Sequence, residues 1–317
     1  MCYTLLFFTL LLLVSSSFCA KQKCCPDKEC YELGDPWQTL TRLVPEPRCI
    51  EEPARYLFTN RSSPIFPFAF TTGNISKIPQ FMDVTKPTVM VFHGWTGSET
   101  SSFMRNVTAV YLSRVDANAF FVDYGKAAFD LNYAQAVSDI RVVARYVVKM
   151  VHTIIQGGVS PSQIHLIGMS LGGQLAAYVA KAIPGIGRLT GDVDIWVNGG
   201  WDQPNCGLVG DPPAIRQLSA AQGVEDNLEL FFCSHGRAIF YYTEALASSC
   251  RFWGVKRDPL SIWISRLTLG HATKFIVHPR NCTLQNCVPV GLDTIHATGR
   301  GSFIVPTNYR QPFCVSQ

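Results

Sequence analysis

Gly168-Met169-Ser170-Leu171-Gly172 sets a serine between two glycines. An apolar run, Ile164-His165-Leu166-Ile167, precedes it, and Gln174-Leu175-Ala176-Ala177-Tyr178-Val179-Ala180 follows. The first run reads as a buried strand and the second as a helix. A serine at the apex of a tight strand-to-helix turn has strained backbone angles, and side chains on either side would collide there. Glycine two residues before and two after removes those collisions. Such a turn lifts the hydroxyl clear of the sheet and aims the helix N-terminus at a developing oxyanion. The chemistry implied is nucleophilic attack by Ser170 on an acyl carbon. The plainer use of the same residues is an ordinary βα turn that happens to carry a serine.

A serine nucleophile needs an imidazole to take its proton and an acid to orient that imidazole. It also needs two backbone N–H donors for the oxyanion, one after the serine and one from an earlier loop. Leu171 supplies the first. His93-Gly94-Trp95 closes the run Thr88–Trp95 and supplies the second through the Trp95 N–H. The histidines after Ser170 are His235, His271, His278 and His296, and their residue types alone do not choose among them.

The elements that must hold these groups alternate along the chain. Thr88–Trp95 and Ala119–Tyr124 are apolar, β-branched and aromatic, as buried strands are. Asn132–Ile155 repeats Val137, Ile140, Ala144, Val147, Val151 and Ile154 at helical spacing and stops at Gly157 and Gly158. A strand at Gln163–Met169, a helix from Leu171 and short strands at Gly187–Gly191 and Asp194–Val197 follow. Strands alternating with helices predict a mostly parallel sheet covered on both faces. With 317 residues and 47% hydrophobic content, the chain is long enough to bury a large core. Its 27 Lys+Arg against 23 Asp+Glu include no basic block, so nothing suggests a nucleic-acid partner.

Leu5–Val14 is an apolar run of signal-peptide length, shorter than the roughly 20 residues a membrane span requires. Small residues at Ser17 and Cys19 predict cleavage after residue 19, although the basic n-region is missing. Of twelve cysteines, ten lie beyond that point, an even number that suits disulfides in an oxidising compartment. Cys24, Cys25, Cys30 and Cys49 crowd into one N-terminal segment. The cysteine spacing is not that of zinc knuckles, so no metal is expected. Asn60, Asn74, Asn106 and Asn281 each open an N-x-S/T sequon, as expected of an exported glycoprotein.

Cys233-Ser234-His235-Gly236-Arg237-Ala238, followed by IFYYTEAL, resembles the CSH-x-RA segment of the pancreatic-lipase family, which also contains secreted phospholipases A1. Further motifs resemble that family in the same order: DPW at Asp35–Trp37, LFTNRSSP at Leu57–Pro64, VFHGWTGS, GMSLGG in place of the usual GHSLG, IGRLTG at Ile186–Gly191, DIWVNGGWDQPNC at Asp194–Cys206, and CTLQNCVPVG at Cys282–Gly291. The resemblance implies one α/β-hydrolase domain over residues 20–317, with His235 as the base. It implies disulfides Cys206–Cys233 and Cys282–Cys287, with Gly207–Phe232 as a 26-residue lid between the first pair. A lid of that length leans towards a lid-gated lipase and a lipid–water interface. The chain stops where the family's catalytic domain stops, so neither a C-terminal β-sandwich nor a colipase partner is expected.

The acid is where the chain departs from the family. Relatives pass from the GRLTG strand through a G-L-D-P-A-like turn that carries the catalytic aspartate, then through several tens of residues before the NGG segment. Here Gly191 leads directly into Asp192-Val193-Asp194. Asp192, one residue earlier than the family's aspartate, is the candidate acid. Asp194 is the other option, although it matches a structural position, and a one-residue slip in an extended strand turns a side chain to the opposite face. Three readings follow: a secreted hydrolase of lipid carboxylic esters using Ser170, Asp192 and His235 without a cofactor; a weakened or inactive homologue that binds lipid or protein; or the product of a shortened transcript.

Overall fold

The computed structural model describes residues 3–4, 17–18, 22–35, 37–39, 44–188, 193–200, 203–204, 206, 233–268 and 272–316. Asp192, the lid segment 207–232, His271 and most of the expected signal peptide lie outside the described residues. Of that leader, only Tyr3–Thr4 and Ser17–Phe18 are described, as a two-residue antiparallel pair.

Residues 55–182 build one sheet and the helices on it. Its strands are β1 (Arg55–Asn60), β2 (Ser63–Thr71), β3 (Thr88–Phe92), β4 (Asn118–Asp123) and β5 (Ile164–Gly168). Helices α1 (Ser102–Arg114), α2 (Tyr133–Gln156) and α3 (Leu171–Ala182) connect or follow them. The spatial order is β2-β1-β4-β3-β5. The β2/β1 and β1/β4 pairs are antiparallel, whereas β4/β3 and β3/β5 are parallel. The parallel half is the half that carries Ser170.

Both faces of this sheet are buried, which explains why the strands are apolar throughout rather than alternating. Met90, Phe92, Phe120, Val122, Tyr56 and Phe58 point to one side, where α2 and α3 pack. Val89, Val91, Ala119, Phe121 and Leu57 point to the other, against α1. Helix α2 starts where Asn132 Oδ1 accepts the Ala134 N–H at 3.1 Å, an N-cap that satisfies one free donor of the first turn. Its buried stripe, including Ile140, Val147, Val151 and Ile154, follows the spacing seen in the sequence. Each such side chain contributes up to about 1.5–3 kcal/mol by leaving water.

The remainder contains β6 (Val193–Val197), α4 (Cys233–Ala247), β7 (Trp253–Lys256), α5 (Pro259–Leu267), α6 (Thr273–Ile276), β8 (Val288–Pro289) and β9 (Gly301–Val305). A second sheet runs β6-β9-β7-β8, with β6/β9 parallel and the other pairs antiparallel. Among the described residues, Arg188 joins the edge of β5. The Leu166 N–H donates to the Arg188 carbonyl, and the Arg188 N–H donates to that of Ile164, both at 3.1 Å. Of the strand expected at Gly187–Gly191 this bridge is the described part, and Val193 already belongs to the second sheet.

Cys206–Cys233 and Cys282–Cys287 are bonded as the resemblance implied. Three further bonds are Cys24–Cys30, Cys25–Cys49 and Cys250–Cys314. The first two hold the N-terminal segment, which is also clamped to α2. Arg48 reaches the fully buried Asp139 carboxylate through its backbone N–H and Nε, both at 2.7 Å, and through Nη2 at 2.6 Å.

Candidate active site

Ser170 joins β5 to α3 with φ 52° and ψ −119°, a left-handed conformation that costs a non-glycine residue of the order of 1–3 kcal/mol. The glycines are required by close backbone approach. A Cβ on Gly172 would lie 2.5 Å from the Phe92 carbonyl oxygen and closer still to that of His93. A Cβ on Gly168 would lie 2.6 Å from the Gly173 nitrogen and closer to the Gly172 carbonyl. The register explains the crowding: Phe92 sits opposite Gly168, so β3 and β5 end level and their loops emerge together. The Met169 N–H seals the junction by donating to the Phe92 carbonyl at 3.1 Å. Met169 itself is buried among α1 residues, which accounts for an apolar side chain before the serine.

The same register sets His93-Gly94-Trp95 beside the serine turn. His93 is fully buried, and its ring stacks on Tyr124 with centroids 4.0 Å apart. The Tyr124 N–H donates to His93 Nε2 at 3.1 Å, nearer than the Asp123 carboxylate at 3.5 Å, and this contact favours the tautomer with the ring proton on Nδ1. That Nδ1–H donates to the Gly94 carbonyl at 2.8 Å. Gly94 C=O and Trp95 N–H belong to one planar peptide unit, so fixing the carbonyl fixes the direction of the N–H. Gly97 N–H also donates to this carbonyl, at 3.2 Å. Among the described residues, neither the Trp95 nor the Leu171 N–H has an acceptor, as free oxyanion donors require. This second job of His93, holding a peptide rather than moving a proton, was not read from the sequence. Its only signal there was the two-residue His-Gly pair.

The Trp95 indole donates to the Asp130 carbonyl at 2.8 Å, and its ring meets Tyr133 edge-on. In the same loop Phe129, Leu131 and Tyr133 are exposed, Leu131 by 91%. The ground beside the second oxyanion donor is therefore apolar and open to solvent.

His235 lies in the first turn of α4, two residues past Cys233. The Gln203 N–H donates to Ser234 Oγ at 2.9 Å, which fastens this turn to the loop after β6. One helical turn on, Ile239 is buried in the same cluster as Met169, Met104 and Val107. Thus α4 packs on the face of the sheet that holds the residue beside Ser170. The His235 side chain is exposed, yet desolvation by nearby protein lowers its pKa from the ordinary imidazole value. Among the described residues, no hydrogen bond joins His235 to Ser170 and no carboxylate pairs with it. Asp192 lies outside them. Asp194 is exposed on β6, and its carboxylate accepts the Ser302 hydroxyl of the adjacent strand at 3.3 Å, a cross-strand role.

Of the sequon asparagines, Asn106 and Asn281 are exposed and Asn60 and Asn74 half-exposed. In the last two, backbone N–H groups engage Oδ1 and leave the amide nitrogen out of those bonds.

The family model described as Lipase matches residues 51–192 and 185–270. The two segments overlap at residues 185–192. A phospholipase A1 of Vespula squamosa is 26% identical over 73% of this chain and 84% of its own length. A phospholipase A1 of Vespa crabro is 24% identical over 77% of this chain and 89% of its own length. Lipase member H of Danio rerio is 27% identical over 58% of this chain and 45% of its own length, so the chain spans less than half of that relative. The first alignment runs over 283 positions but takes in about 231 residues of this chain, 73% of 317, so roughly fifty positions of that relative have no counterpart here.

Proposed function

The chain belongs to the lipase family, and from that premise we propose that it is a secreted serine hydrolase of lipid carboxylic esters, acylglycerol or phospholipid. The observation that carries this reading is the strained Ser170 turn flanked by two acceptor-free N–H groups, one of them aimed by His93. Ser170 Oγ attacks the ester carbonyl carbon while His235 takes its proton. The carbonyl oxygen becomes an oxyanion that the Trp95 and Leu171 N–H groups receive. His235 returns the proton to the departing alcohol, and water then releases the acyl group by the same route in reverse. Asp192 orients His235. The exposed apolar loop Phe129–Tyr133 suits a water-insoluble acyl chain. Ten disulfide-bonded cysteines and four accessible sequons favour export and glycosylation. The names of the relatives support a lipid substrate.

A second reading, a lipid-binding homologue with little turnover, is favoured by one observation: no described carboxylate pairs with His235. Hydrolysis of a soluble short-chain ester separates the two, since it takes the lid and the lipid surface out of the question. We expect Ser170→Ala to abolish hydrolysis and Asp192→Asn to lower kcat by about 10^4. Full activity in Asp192→Asn would remove Asp192 from the triad. A folded wild type without activity would leave the binding homologue.

A further inference from the structure

Helix α5 faces the wrong way for a helix held by its core. Leu260, Trp263 and Leu267 fall within about 60° of one another around a helix of 3.6 residues per turn. All three point to solvent, exposed by 64%, 59% and 63%. The opposite side is polar and buried: Ser265 is fully buried and accepts the Thr273 hydroxyl of α6 at 3.0 Å. Ser265 also lies against Gly199, where a Cβ would stand 2.6 Å from its own. On α6, Phe275 adds another exposed ring. An apolar helical stripe normally packs inward, and a contiguous exposed one marks a surface that meets something.

Charge says what that something is. Arg251 is paired with Asp293 at 3.0 Å, but residues 252–280 still contain Lys256, Arg257, Arg266, Lys274 and Arg280 against a single acid, Asp258. This excess of four equals the +4 of the whole chain, so the rest of the protein is close to neutral. Asp258 is occupied as the cap of α5, accepting the Ser261 N–H at 2.9 Å. Leucines and a tryptophan on one face of a helix, in a segment whose sequence is rich in Lys and Arg, form the pattern that seats a helix in the headgroup region of an anionic bilayer.

We infer that the outward face of α5 and α6 is a docking surface for an anionic lipid bilayer. Its position also serves the proposed chemistry. Gly199, under Ser265, follows Asn198, whose Nδ2 donates to Gln203 Oε1 at 2.9 Å. Gln203 in turn holds Ser234, the neighbour of His235. The buried side of α5 is therefore linked to the turn that carries the base through one run of contacts. Its use in lipid turnover rests on the lipid-ester reading, whereas binding itself does not.

The test is co-sedimentation of Ser170→Ala protein, which leaves the lipid intact, with vesicles of phosphatidylcholine alone or with about a quarter phosphatidylglycerol. Binding should need the anionic lipid. Leu260→Glu/Leu267→Glu should weaken it about thirtyfold, and Lys256→Glu/Arg280→Glu, which alters charge alone among the proposed lipid contacts, about tenfold. Ile295→Glu, an equally exposed apolar residue outside these helices, should leave it intact. Equal binding by parent and both double variants overturns the inference, as does equal binding to phosphatidylcholine alone. Binding lost on deletion of residues 207–232 but not in the double variants would assign the surface role to that segment. A dimer dissociated by Leu260→Glu/Leu267→Glu would assign the face to a second copy. Soluble-ester hydrolysis by the wild type keeps the two readings apart: turnover without vesicle binding sinks the docking face alone, and binding without turnover sinks the catalytic reading alone.

Discussion

Gly172→Ala tests whether the serine turn is held by backbone contact between β3 and β5. The new methyl would stand 2.5 Å from the Phe92 carbonyl oxygen and nearer to that of His93, where ordinary contact begins at 3.4 Å. Both obstacles are main chain, so no side chain can rotate away, and the start of α3 must retreat from β3 by about 1 Å. Overpacking of this kind costs about 3 kcal/mol at the upper end, and exchanging glycine for alanine within a helix returns about 1 kcal/mol. The net loss is about 2 kcal/mol, a few degrees in Tm for a chain of this size. The same retreat parts Leu171 N–H from Trp95 N–H, and a displacement of about 1 Å at a reacting centre costs about 10^2 in rate. Thermal unfolding reads the first effect and kcat/KM on a soluble ester the second. Gly173→Ala is the matched control: its methyl would lie 3.3 Å from the Gly168 carbonyl, which a shift of a few tenths of an ångström relieves. It should keep wild-type activity and a Tm equal to or slightly above that of the parent. A Gly172→Ala protein with wild-type Tm and kcat/KM within about threefold of the parent would refute the close-contact account of the turn.

Other outcomes follow from single groups. His93→Asn should lower kcat about 10^2-fold with little change in KM, because the Gly94 carbonyl, left with the longer Gly97 N–H bond, no longer aims the Trp95 N–H as firmly; a change in KM alone would contradict that role. The acid limb of kcat/KM should lie below pH 6.5, since desolvation lowers the His235 pKa and the base must be neutral to act. His165 does not confuse this profile, because burial and the Arg188 charge push it down to about 3. A limb above 6.5 would mean that a carboxylate outweighs desolvation at His235. Arg48→Ala strips the guanidinium from the buried Asp139 carboxylate, but Gln135 Nε2 at 2.9 Å and the backbone N–H of residue 48 remain. The loss in urea denaturation should therefore be about 2 kcal/mol, below the roughly 3–5 of a fully orphaned buried charge. No change would show that the clamp on the N-terminal segment is not a source of stability.

Some of this architecture was legible along the chain because it is local. The helix over Tyr133–Gln156 follows from apolar spacing and from the glycines that end it. The turn at Ser170 follows from its flanking glycines, and the glycine clearances bear out why those residues stand there. The pairs Cys206–Cys233 and Cys282–Cys287 were legible only through resemblance, because an even number of cysteines permits many pairings. Cys24–Cys30, Cys25–Cys49 and Cys250–Cys314 needed the fold, since each depends on which segments come together.

What only the tertiary structure decided concerns direction. His93 has the same identity whether it transfers a proton or anchors a peptide, and the Tyr124 N–H, 31 residues away, favours the tautomer with the hydrogen on Nδ1. Leu260, Trp263 and Leu267 have helical spacing in the sequence, and that spacing establishes a stripe without saying which way it faces. The answer lies in Gly199 and Thr273, which offer Ser265 a close backbone and a hydroxyl and so turn the polar side of α5 inward. Periodicity is a property of one segment, whereas orientation is decided by the partners that other segments bring to it.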